Sequence, residues 1–123
     1  MLANPPSTQV ELEIEHAPRR TNARLVGDVD LTTVSGLDQM LEIHTSAGDM
    51  TVDLSEVQFL DSSGIRFLLR LADSVRASGH RFAAICPQES LPRRVLEITD
   101  LIETLEVQSS RGPAAHGNGA KPA

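Results

Sequence analysis

Val10, Leu12 and Ile14 alternate with Glu11, Glu13 and Glu15, the period-two pattern of a strand with one face in solvent. A second strand runs through Ala23-Arg24-Leu25-Val26 and stops at Gly27-Asp28. Asp30 or Thr32/Thr33 then offers a cap for a helix whose Val34, Leu37, Leu41 and His44 follow helical spacing. Gly48-Asp49 marks a turn before Met50-Thr51-Val52-Asp53-Leu54, a more continuous apolar run that suits a central strand. Val57, Phe59 and Leu60 are expected in a loop leading to Asp61-Ser62-Ser63-Gly64.

Beyond that tetrapeptide, Ile65, Leu68, Leu69, Ala72 and Val75 recur at three- and four-residue intervals. They predict a helix of about four turns opened by Asp61–Ser63, with this stripe as its core face. Arg66 and Arg70 fall on the opposite side, and Phe67 lies off the stripe with Leu71 at its flank. Gly79 ends the helix. Residues 81–86 (RFAAIC) form a further strand stopped by Pro87, and Ser90 caps a last helix through Leu91, Val95 and Ile98, with Pro92 tolerated in its first turn. Residues 104–107 give a final short strand. The order ββαβαβαβ implies a single α/β domain with a mixed, partly parallel sheet and helices packed on it.

Composition sharpens this picture. The chain has 123 residues, about one domain. The segment 109–123 mixes Gly, Pro, Ala and Ser without apolar periodicity and is expected to be a disordered tail; residues 1–7 are a flexible lead-in, which leaves 8–108 as the domain. The net charge is −6, and the tail carries Arg111 and Lys121 with no acid, so the body is more acidic still. Such a body repels phosphate backbones and anionic lipid, which argues against direct nucleic-acid or membrane-surface binding. Three Phe with no Trp or Tyr leave little for stacking on bases or sugars. The absence of a long apolar run or leader pattern makes the expected location cytoplasmic.

The run VDLSEVQFLDSSGIRFLLRL, Val52 to Leu71, resembles the signature of the STAS-domain anti-sigma-factor antagonists. Gly27-Asp28-Val29-Asp30 resembles the family's Gly-Glu-Leu-Asp turn after the second strand, and the likeness covers roughly residues 8–108. It implies a regulatory binding domain that is not an enzyme. The unmodified protein would bind an anti-sigma factor that is also a serine kinase, and so control sigma-factor-dependent transcription. Phosphorylation would release it until a protein serine phosphatase restores the free form. By position, Ser62 is the phosphoacceptor with Ser63 as the alternative; Asp28, Asp61, Ser63, Gly64, Arg66 and Phe67 are the expected partner-binding residues.

Each assignment has a plainer counterpart. Asp and Ser before an apolar-periodic stretch are ordinary N-caps. Arg66 and Arg70 read first as a solvated basic pair, although Arg66 departs from the family's usual Gly and bears on partner identity. Phe67 is either a boundary residue covering the helix edge or an apolar anchor beside Ser62. A STAS subunit that docks on a transporter without phosphorylation is the alternative function. His16, His44, His80 and His116 lack metal-ligand spacing, Cys86 reads as a buried hydrophobe, and no nucleophile elbow or phosphate loop occurs. No cofactor or metal is expected.

Overall fold

A computed structural model of the chain describes residues 10–110. The elements, in chain order, are β1 (Val10–Ala17), β2 (Arg20–Val29), α1 (Val34–Glu42), β3 (Asp49–Leu60), α2 (Ser62–Ala77), β4 (Phe82–Ile85), α3 (Leu91–Ile98) and β5 (Val107–Gln108). The expected ββαβαβαβ order is therefore the observed one. The expected lead-in 1–7 and all but Ser109 and Ser110 of the expected tail lie outside the described residues.

The five strands form one sheet in the order β1-β2-β3-β4-β5. β1 and β2 are an antiparallel hairpin, and each later pair is parallel. Each parallel step carries a helix, as parallel neighbours require a crossover. Ala23 and Leu25 of β2, Met50, Val52 and Leu54 of β3, and Phe82 and Ala84 of β4 are buried in a single cluster. Leu37 and Leu41 of α1, five side chains of α2 and Leu96 of α3 complete it. Val10, Leu12 and Ile14 pack at its margin while Glu11, Glu13 and Glu15 stay in solvent. On the same open face Arg24 bridges Glu13 of β1 and Glu56 of β3.

Helix boundaries follow local chemistry. α2 ends in a glycine at φ +85°, with Gly79 N–H donating to Arg76 C=O at 2.9 Å and His80 N–H to Val75 C=O at 3.1 Å. These two bonds satisfy carbonyls that the last helical turn leaves unpaired. Ser90 accepts the Arg93 N–H at 3.3 Å and caps α3, with Pro92 in the first turn.

Two expectations are corrected. Val57, Phe59 and Leu60 lie within β3, which runs on as a strand to Leu60 because β2 keeps pairing with it through two register shifts. The last strand begins at Val107, since residues 104–106 form turns and Glu106 takes a positive φ. Of the three cap residues offered for α1, Thr33 holds the N-cap position, without a side-chain bond into the helix. Its hydroxyl instead donates to Asp28 C=O at 3.0 Å and accepts the Asp30 N–H at 3.0 Å. Packing also continues to Ser109, whose hydroxyl lies 3.2 Å from Gln88 Nε2.

Candidate functional site at the start of α2

Asp61 leaves β3 in an extended conformation and becomes the N-cap of α2. Its Oδ1 accepts the Gly64 N–H at 3.0 Å, satisfying one of the orphan donors of the first turn. Its Oδ2 accepts the Leu31 N–H from the β2–α1 loop at 3.3 Å. Asp61 N–H in turn lies 3.4 Å from the Val29 carbonyl at the end of β2. The capping role open to Asp61, Ser62 and Ser63 thus falls to the aspartate.

Both serine hydroxyls are left without a hydrogen-bond partner among the described residues. Ser62 is the first helical residue and exposed, whereas Ser63 is half-buried. The Ser62 hydroxyl therefore stands in solvent at the positive end of a sixteen-residue helix. Arg66 is exposed one turn further on and has no acidic partner among the described residues. Arg70, the other member of that basic pair, is tied to Asp38 of α1 at 3.6 Å.

Gly64 is buried for a steric reason. A Cβ there would stand 2.4 Å from the Val29 carbonyl oxygen and 2.6 Å from Leu60 Cδ1. The first turn of α2 thus rests directly on the ends of β2 and β3. Gly64 positions the serines rather than facing solvent.

Across the site, Gly27 adopts φ +112° beside a register shift between Gly27 and Asp28. Asp28 emerges half-buried and paired in register with Phe59. Asp30 organises the following loop: its Oδ1 accepts the Thr32 N–H at 2.9 Å and the Thr32 hydroxyl at 2.7 Å. The Thr32 hydroxyl bond, supported by backbone donors, holds the Asp30 carboxyl below the usual carboxylate range.

Phe67 is corrected from anchor to core. It is completely buried and belongs to the main cluster. The buried face of α2 is Gly64, Phe67, Leu68, Leu71, Ala72 and Val75, while Ile65 and Leu69 sit at its margin. The sequence stripe was rotated because Gly64, which has no apolar side chain, marks the closest contact.

Exposed apolar surface near Ser62 comes from two residues that sequence reasoning missed. Leu31 is 73% exposed and Phe59 48% exposed. Both sit on the segments that the Asp61 carboxylate joins, Leu31 through its own N–H and Phe59 two residues upstream in β3. The only sequence signal was Leu31 standing alone between Asp30 and Thr32 in a polar loop. For Phe59 the register shift turns the side chain outward while Val57 and Leu60 point in.

Residues 11–114 match the STAS domain family. The chain belongs to this family. As a STAS domain it superposes on an anti-sigma factor antagonist from Mycobacterium paratuberculosis with a TM-score of 0.75, at 21% identity over 88% of this chain and 92% of that one. The anti-sigma factor antagonist SpoIIAA in its unphosphorylated form gives a TM-score of 0.71 at 18% identity, covering 85% and 92%. SpoIIAA of Bacillus in its phosphorylated form gives 0.67 at 18% identity, covering 85% and 96%. These likenesses establish the fold that the Val52–Leu71 run pointed to.

The remaining polar chemistry of this STAS domain is sparse. Among the described residues no group of three or more His, Cys, Asp or Glu is placed to hold a metal. His16 and His44, distant in sequence, stand with ring centroids 5.3 Å apart. Cys86 is buried, and desolvation pushes its thiol up to about 12. Among the described residues no helix is long and apolar enough to cross a membrane.

Proposed function

We propose that this STAS domain is an anti-sigma-factor antagonist switched by phosphorylation of Ser62. The observation that carries the reading is the division of labour at the start of α2: Asp61 caps the helix, and Ser62 remains an exposed, unbonded hydroxyl. Its likeness to anti-sigma factor antagonists, among them SpoIIAA in unphosphorylated and phosphorylated forms, supports it.

In this mechanism the unmodified protein presents Leu31, Phe59 and the neutral Ser62 hydroxyl to an anti-sigma factor with serine-kinase activity. The two apolar side chains supply the anchor and Arg66 a charged rim contact. Phosphate on Ser62 adds nearly two negative charges at that contact. The free N–H groups of the first turn and Arg66, at i+4, accommodate the charge without unfolding the domain. Asp61 and Asp28 add repulsion toward an acidic partner surface, so the complex separates while the fold persists. A protein serine phosphatase resets the switch in the cytoplasm. Residues 8–108 are the unit that carries this function.

The test is incubation with an anti-sigma serine kinase and ATP, with the phosphate mapped by mass spectrometry. Ser62→Ala should keep partner binding and resist modification. Phosphate on Ser63 alone would move the acceptor, and phosphate on neither serine would defeat the mechanism.

A further inference from the structure

The pole of the domain far from Ser62 gathers basic side chains. β3 starts at Asp49 and ends at Leu60, so its two ends lie roughly 35 Å apart at about 3.3 Å per residue. At the Asp49 end, Ala17, Pro18, Arg19, Arg20, Asp49 and His80 line an open cavity of about 380 Å³.

Three connections build this cavity. The β1–β2 hairpin turns through Pro18 and Arg19, with Ala17 paired to Arg20. Arg19 sits at φ +67°, a left-handed conformation uncommon for a residue with a side chain. The α1–β3 connection braces it: Asp49 N–H donates to Arg19 C=O at 3.0 Å, and a Cβ on Gly48 would stand 2.2 Å from the Arg19 carbonyl carbon. The α2–β4 connection forms the third wall. There His80 Nδ1 lies 3.8 Å from Asp49 Oδ1, which also accepts the Arg81 N–H at 3.0 Å.

Charge is the second observation. Arg24, Arg70, Arg76 and Arg93 each face a carboxylate. Arg19, Arg20 and neighbouring Arg81 have no such partner among the described residues, in a chain of net charge −6. Among the described residues Asp49 is the sole carboxylate of the cavity lining, and it already serves Arg81 N–H and faces His80. Two guanidinium groups against one engaged carboxylate leave uncompensated positive charge even when His80 is neutral.

We propose that this cavity binds a phosphate-bearing small ligand, held by Arg19 and Arg20 with His80 as a further donor. Guanidinium forks match phosphate oxygens in geometry and charge. The volume lies at the lower end of the roughly 300–1,000 Å³ typical of ligand pockets. The lining offers little apolar surface beyond Ala17 and Pro18, so the phosphoryl group carries the affinity and the rest of the ligand extends into solvent. The site is independent of phosphorylation at Ser62.

The experiment is a titration of the full chain at constant ionic strength with inorganic phosphate, pyrophosphate and succinate, followed by amide chemical shifts. Saturable shifts are expected at Arg19, Arg20, Asp49 and His80, with pyrophosphate binding most tightly. The exposed pair Arg19→Ala and Arg20→Ala together should weaken pyrophosphate binding at least about tenfold without lowering Tm, as expected for lost charge-assisted bonds. Asp49→Asn should tighten it, and Ser62→Ala should leave it unchanged. Shifts centred on Asp61–Gly64 would overturn the proposal by assigning the anion to α2. An equal response to succinate, or no saturation, would also overturn it.

Discussion

Asp61, at the start of α2, reaches across and accepts the backbone N–H of Leu31 in the β2–α1 loop at 3.3 Å. The same carboxylate caps its own helix through Gly64. One side chain therefore sets both the orientation of α2 and the position of the loop that displays an exposed leucine. Removing it should be felt in stability and in binding together.

Asp61→Ala is expected to lower stability by about 1–2 kcal/mol, the upper part of the range for a lost N-cap. Asp61→Asn, which keeps an acceptor oxygen, should lose less. Urea denaturation of the two variants checks the order. Equal losses would mean that charge, rather than the accepted hydrogen bonds, is what matters.

Phe67 and Phe59 should separate folding from binding. Phe67 is completely buried, so Phe67→Ala should cost about 3–5 kcal/mol. Phe59 is half in solvent and its truncation should cost under about 1 kcal/mol while weakening binding of the proposed anti-sigma partner. Calorimetry of both variants, with partner binding measured for Phe59→Ala, gives the answer. A Phe59→Ala protein that binds normally would remove this residue from the proposed contact.

Cys86 should be silent to alkylation in the folded protein. Burial raises its thiol to about 12, so at pH 8.5 both thiolate and access are lacking. The folded pKa is raised for an acid, so its contribution to stability is present below the unfolded thiol value and is lost as pH climbs toward 12. Iodoacetamide labelling at pH 8.5 should track unfolding in urea. Rapid labelling without denaturant would show that the β4 end opens in the native state.

Asp30 supplies the opposite sign. Its carboxyl is held below the usual range by Thr32, so this stabilisation is present above the unfolded carboxylate value. It disappears as pH falls through the lower folded value. Asp30→Ala should therefore lose stability at neutral pH and show a smaller further loss on acidification than the parent. Parallel acid curves for the two proteins would contradict this.

How far the sequence carried is visible in particular residues. Every element was legible from periodicity and punctuation, because Gly79, Pro87 and Ser90 act locally. Two ends were not. The length of β3 depends on pairing with β2 through register shifts, which only the assembled sheet determines. The rotation of α2 depended on Gly64, whose role is the close approach of Val29 and not any property of its own side chain. Ser62 and Asp61 could be named in advance, but their separate duties could not, since any of three residues fits the cap position by type. Leu31 and Phe59 escaped because their exposure is set by the β2–α1 loop and by the β3 register shift, neither of which periodicity reveals.

The two outermost strands end the sheet by different means. β1 is eight residues long and carries Glu11, Glu13 and Glu15 on its open face, while β5 is only two residues. A neighbouring molecule approaching the β1 edge meets acidic side chains, of which Glu13 is held by Arg24, and at β5 it finds too few backbone groups to continue the ladder. Growth of the sheet into a fibre or an edge-paired dimer is discouraged on both sides. The described edges of this small aliphatic α/β domain thus offer little backbone for a second copy to pair with.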